Sequence, residues 1–187
     1  MTEILYIPNI LTAFRLILTP FMVYHMYREN WEITFFIGFV AVVSDFLDGT
    51  IARKLGMVSD FGRKFDPTVD KIALLSIFLL IYHKKFAPDW FSIPVIVKDI
   101  SIPLVLLLGK IRGVKINFSP TKMGKTTVAL QFFYIILLIS EKSIGVKTYH
   151  QYLMIPLLIL CFFSVMSYVI LMYKLVRKIS REGEIDI

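Results

Sequence analysis

Apolar residues dominate six stretches of this chain, each close to the ~20 residues that a helix needs to cross a bilayer. They cover about 9–27, 31–53, 60–83, 90–109, 123–140 and 150–174, with short polar segments between them. The pattern predicts an all-α integral membrane protein with six transmembrane helices. Residues 1–8, with Leu5, Tyr6 and Ile7, read as an interfacial lead-in. No linker, repeat or low-complexity segment divides the chain, so residues 1–187 are expected to form a single membrane domain.

Basic residues set the expected orientation. With the N-terminus in the cytosol, the inner segments 53–64, 110–125 and 174–181 hold thirteen Lys and Arg, while the outer loops hold five (Arg28, Lys84, Lys85, Lys142 and Lys147). The positive-inside rule therefore puts both termini in the cytoplasm. The net charge of +7 is explained the same way, because most cations flank apolar segments; no nucleic-acid partner is expected. Hydrophobic residues make up 57% of the chain, which excludes an ordinary soluble globule. A cleaved signal peptide is not expected, since Glu3 comes first and Arg15 interrupts the opening apolar run. Cys161 stands alone in an apolar run and reads as a packed small hydrophobe.

Four carboxylates contradict this apolar background. Asp45, Asp48, Asp66 and Asp70 fall within the second and third spans. A charge centred in hydrocarbon costs roughly 2.5–3.5 kcal/mol, so four unpaired ones cost about 10 kcal/mol, comparable to a domain's stability. Neutralisation by divalent cations answers that cost. Asp45 and Asp48 are spaced i, i+3, and Asp66 and Asp70 i, i+4, which puts each pair on one helix face. Without His or Cys in the stretch, the ligands are all oxygens, which favour Mg²⁺ or Mn²⁺ over zinc.

The stretch from Asp45 to Asp70 resembles the signature of the CDP-alcohol phosphotransferase family, D-x2-D-G-x2-A-R-x8-G-x3-D-x3-D. Asp45, Asp48, Gly49, Ala52, Arg53, Gly62, Asp66 and Asp70 fill every fixed position. At residue frequencies near one in twenty, chance gives such a match on the order of 10⁻¹⁰ per start position. The resemblance implies a homodimeric membrane enzyme that uses two Mg²⁺ ions, with Mn²⁺ as a substitute. It would transfer a substituted phosphoryl group from a CDP-linked donor to an alcohol, releasing CMP. On this basis Asp45, Asp48, Asp66 and Asp70 would be the metal ligands, and Asp70 also the general base.

The resemblance also implies a CDP-diacylglycerol site formed by Asn9, Thr12, Gly49, Ala52, Arg53, Ser59 and Gly62. Each of these residues has a plainer reading beside it. Asn9 and Thr12 could cap a helix starting near Pro8, Gly49 and Ala52 could serve close helix packing, and Ser59 could be a cap. Arg53 has the fork to bind pyrophosphate, or could be a snorkelling positive-inside residue. Arg15 is expected to face protein or phosphate rather than lipid. Pro67 either starts a helix or kinks one begun near Asp60.

From about residue 6 to 131 the chain is most similar to the family branch that accepts glycerol 3-phosphate. Lys98, Arg112 and Lys125 are the candidate acceptor contacts, as cations suited to a second phosphate. That branch usually carries Arg-Glu where this chain has Lys98-Asp99. A basic-acidic pair followed by a Pro-containing turn and Lys-x-x-Thr also occurs in the branch that accepts phosphatidylglycerol, and inositol phosphate is a further alternative acceptor. From a different class, a divalent-cation transporter explains buried acids, but not Gly49, Ala52, Arg53 and Gly62 at fixed offsets. The expected location is the cytoplasmic membrane, in contact with its lipid, with the site facing the cytosol.

Overall fold

The computed structural model describes residues 7–55, 60–111, 122–145, 147 and 149–183; along several helix ends only the backbone is described. The described residues form six α-helices and a short 3-10 turn, with no strand among them. The helices are α1 (Ile7–Tyr27), α2 (Trp31–Leu55), α3 (Asp60–His83), α4 (Asp89–Ile111), α5 (Lys122–Ile144) and α6 (Met154–Gly183). The turn, His150–Leu153, leads into α6. At 1.5 Å per residue each helix is roughly 30–45 Å long. The apolar runs place the helices to within a few residues, except that the last helix starts later than expected and runs further. Pro67 does not start α3, which runs through it from Asp60.

Closely packed helix pairs are α1 with α2 and α3, α2 with α5, α5 with α6, α6 with α4, and α4 with α3. Followed around, these pairs give the cyclic order α1, α2, α5, α6, α4, α3. The interior draws side chains from α1, α3, α4, α5 and α6, and within it Phe78 of α3, Phe91 of α4 and Tyr134 of α5 are all fully buried. Their rings pack with centroids 4.9–6.1 Å apart, in the offset geometries aromatic quadrupoles favour.

The end carrying the short loops is tightly tied. Both α1 and α3 stop in the same way, with a left-handed residue and a backbone bond reaching five residues back. Glu29 (φ 59°) is followed by Asn30 N–H donating to the His25 carbonyl at 2.9 Å; Lys85 (φ 56°) is followed by Phe86 N–H donating to the Ile81 carbonyl at 3.0 Å. These are Schellman-type caps on non-glycine residues, whose left-handed backbone costs roughly 1–2 kcal/mol. Cross-links between the loops offset that cost. Lys84 pairs with Glu29 at 2.8 Å and lies over the Tyr27 ring, Tyr27 stacks on His83, and Trp31 meets Phe86 edge-on. At the third loop, Glu141 meets buried His150 at 3.1 Å.

Large apolar side chains also lie on the outer surface. Phe21, Phe36, Leu79, Val97, Phe133 and Phe162, one from each helix in turn, are 45–66% exposed. Soluble monomers rarely expose apolar patches beyond a few hundred Å². Among the described residues, two segments, Met123–Ile144 and His150–Ile170, are long and apolar enough to cross a membrane by themselves. Exposed Tyr24, Tyr27, Trp90, Tyr149 and Tyr152 gather at the short-loop end, as aromatic side chains do at a membrane–water interface.

Candidate active site

The buried face of α1 changes character along its length. Thr12, Arg15, Thr19, Met22 and Met26 recur at helical spacing and are all buried, polar in the first half and apolar in the second. The polar half lies toward the end of the bundle where the chain passes from α2 into α3. Thr12 lies well inside α1, which starts at Ile7, so it is not a helix cap; it is 1% exposed. Thr19 Oγ1 donates to the Arg15 carbonyl at 2.9 Å, the usual way a hydroxyl is satisfied within a helix.

Arg15 reaches across to α3. Its Nη1 donates to Asp70 Oδ1 at 2.8 Å, with the arginine side chain 7% and the aspartate 27% exposed. This charge-assisted bond joins the helix that opens the chain to the last acid of the signature. The sequence expected Arg15 to turn toward protein or phosphate, and it turns toward protein.

The other candidates are placed less fully. Asp45, Asp48, Gly49, Ala52 and Arg53 belong to the second half of α2, and Gly62 and Asp66 to the first half of α3, which lie at the same end of the bundle by connectivity. Asn9 belongs to the first turn of α1. The side chains of these eight residues lie outside the described set, and Ser59 and Arg112 lie outside the described residues altogether. Of the four acids, Asp70 alone has a described side chain. No group of three or more potential metal-ligating side chains occurs among the described residues.

Lys98 is buried in a closed polar ring between α4 and α5. Its ammonium donates to Gln131 Oε1 at 2.8 Å and pairs with Asp99 Oδ1 at 2.7 Å; Gln131 Nε2 donates to Asp99 Oδ2 at 2.7 Å. Lys98 is 4%, Asp99 9% and Gln131 0% exposed, so the two charges cancel inside a desolvated, hydrogen-bonded set. One turn earlier on α5, buried Thr127 donates to its own helix at Met123 and, at 3.3 Å, to the Leu160 carbonyl of α6. Lys71 of α3 lies within electrostatic range of Asp99 and Lys98. Lys125, by contrast, is exposed near the start of α5. The charged pair was legible in the sequence; the closing role of Gln131 was not.

An apolar cavity of about 270 Å³ opens among α1, α2, α3 and α5. Met22, Gly38, Ala41, Ala73 and Ile135 line it, and Arg15 supplies its charged wall. The residue that holds Asp70 therefore also borders an apolar compartment.

A profile of the CDP-alcohol phosphatidyltransferase family matches residues 5–176. The chain belongs to that family. Among curated relatives, the CDP-diacylglycerol–glycerol-3-phosphate 3-phosphatidyltransferase of Haemophilus influenzae is 39% identical over 94 residues, 49% of this chain and 50% of that protein. The enzyme of the same name from Aquifex aeolicus is 30% identical over 114 residues, 61% of this chain and 63% of that protein. The cardiolipin synthase (CMP-forming) of Streptomyces coelicolor is 26% identical over 153 residues, covering 75% of this chain and 68% of its own length. The chain thus spans between half and two-thirds of the first two relatives. As a phosphatidyltransferase-family member it is a membrane protein, in keeping with its apolar outer surface. The family match takes in α1 to α5, α6 as far as residue 176, and every member of the signature.

Proposed function

We propose that this protein transfers a phosphatidyl group from CDP-diacylglycerol to glycerol 3-phosphate, giving phosphatidylglycerophosphate and CMP. The observation that carries the reading is the complete eight-position signature on α2 and α3 in a chain whose family match runs almost end to end. The relatives' names support the choice of donor and acceptor. In this reading all six helices cross the cytoplasmic membrane with both termini in the cytosol, and two chains pair as a homodimer.

The donor set is entirely carboxylate, which suits hard cations, and Asp70 is already matched to a positive group. Asp45, Asp48, Asp66 and Asp70 would hold two Mg²⁺ ions. When bound, the ions supply charge stabilisation to the pyrophosphate and to departing CMP. Arg53, Asn9, Thr12 and Ser59 bind the nucleotide end, and Gly49, Ala52 and Gly62 leave room for it beside the backbone. Asp70 accepts the proton of the acceptor hydroxyl as its oxygen attacks the β-phosphorus and the bond from that phosphorus to CMP breaks. The apolar cavity beside Arg15 takes acyl-chain carbons of the donor. Exposed Lys125, with Arg112, suits the acceptor phosphate better than Lys98, whose ammonium is engaged by Asp99 and Gln131.

The test is a proteoliposome assay of CMP release with glycerol 3-phosphate, phosphatidylglycerol, inositol phosphate or serine as acceptor. Turnover with glycerol 3-phosphate alone is expected. Turnover only with phosphatidylglycerol would support the second reading, a cardiolipin synthase, which the Streptomyces relative and the Lys98-Asp99 pair favour. Metal flux without CMP would replace both with a transporter.

A further inference from the structure

Among the described side chains, Arg15 holds the signature acid Asp70 in a charge-assisted hydrogen bond. We infer that Arg15 is the counter-ion Asp70 holds until a divalent cation arrives, so that this arginine sets the metal affinity of the site. The inference rests on the assignment of Asp70 as a metal ligand.

The geometry supplies the argument. The guanidinium is anchored in the buried face of α1, between Thr12 and Thr19, and reaches Asp70 Oδ1 at 2.8 Å. Only 7% of its side chain meets solvent, so water screens it little. A guanidinium cannot shed its proton to become neutral. A cation binding the same carboxylate must therefore either displace Arg15 or accept a positive charge within a few ångströms, and in both cases affinity falls. In return, the arginine keeps one acid of a four-carboxylate stretch neutralised while the metal is away, limiting like-charge repulsion at that end of α2 and α3. Arg15 is thus a positioning residue that acts through Asp70.

Charge and packing roles separate cleanly. Arg15→Gln keeps a hydrogen-bond donor and loses the charge, whereas Arg15→Lys keeps the charge and loses the fork. The experiment is titration of the full chain in nanodiscs with Mn²⁺, read by electron paramagnetic resonance, without nucleotide. Arg15→Gln is expected to bind Mn²⁺ about tenfold more tightly than wild type, and Arg15→Lys within about twofold of it. Should Arg15→Gln not yield a monodisperse protein, Arg15→Met, whose stem suits the apolar neighbours, replaces it in the same titration. Equal or weaker Mn²⁺ binding by the uncharged variant overturns the inference while leaving the metal assignment standing. Failure of wild type to bind Mn²⁺ at all, with CMP release intact, overturns the metal assignment and the inference together.

Discussion

Replacing Lys98 by Met removes one member of the ring that joins α4 to α5 and leaves the rest buried. Asp99, 9% exposed, would keep only its bond from Gln131, and Gln131 Oε1 would lose its donor. Breaking a buried pair by deleting one partner costs about 3–5 kcal/mol, because an uncompensated charge stays behind. At about 2–4 °C per kcal/mol for a chain of this size, Lys98→Met should melt about 6–20 °C below wild type. Adding Asp99→Asn restores neutrality and keeps a partner for Gln131, so the double variant should recover at least half of that loss. The assay is thermal unfolding in one detergent at one scan rate, followed by size exclusion. A single variant within about 2 °C of wild type, or a double variant no better than the single, would refute the clamp. Kinetics then separate clamp from substrate contact: the double variant should keep the wild-type KM for glycerol 3-phosphate, whereas an acceptor contact at Lys98 would raise it.

Asp66→Asn is expected to abolish CMP release while elution volume and helix content stay those of wild type; residual turnover near wild type would contradict its role as a metal ligand. EDTA should stop CMP release and added Mg²⁺ or Mn²⁺ restore it, with activity surviving exhaustive chelation as the contrary result. Ala41→Phe, which fills part of the 270 Å³ cavity, should raise KM several-fold for long-chain CDP-diacylglycerol and much less for a short-chain analogue; equal effects would remove the cavity from the donor site. At the short-loop end, the hydrogen bond to Asp89 raises the Lys85 pKa above its ordinary 10.5. A raised lysine stabilises while charged, so this contribution is complete through neutral pH and is lost only as pH climbs through the raised value. Hydrogen exchange at the Phe86 amide should therefore show no added opening of this loop between pH 6 and about 9.5, beyond the intrinsic rate.

How much was legible depended on the range of the interaction. Helix positions were readable because each apolar run is local, and the stops after Tyr27 and His83 follow the end of such a run. The switch from polar to apolar on the buried face of α1 was also present in the spacing of Thr12, Arg15, Thr19, Met22 and Met26. Pairings between helices were not readable. Arg15 and Asp70 lie 55 positions apart and Lys98 and Gln131 lie 33 apart, and both contacts exist only because the helices adopt one particular cyclic order. Charged residues inside apolar runs announced that partners must exist without saying which. The His150–Glu141 contact gave no signal at all, since a lone His after a loop is common. The chemistry came from the signature: spacing alone put carboxylates on helix faces, and the family resemblance supplied the nucleotide.

The cyclic helix order has a consequence for how the protein is made. The second helix gains its other neighbour only from the fifth, and the fourth gains its second only from the sixth. In the proposed six-span arrangement, a nascent chain with only its first four helices would therefore still present the Lys98–Asp99 pair without Gln131, and one flank of α2 without its neighbour. Biogenesis should show a late commitment step: chains arrested before residue 122 stay sensitive to membrane proteases, and resistance arrives once the last two helices are inserted.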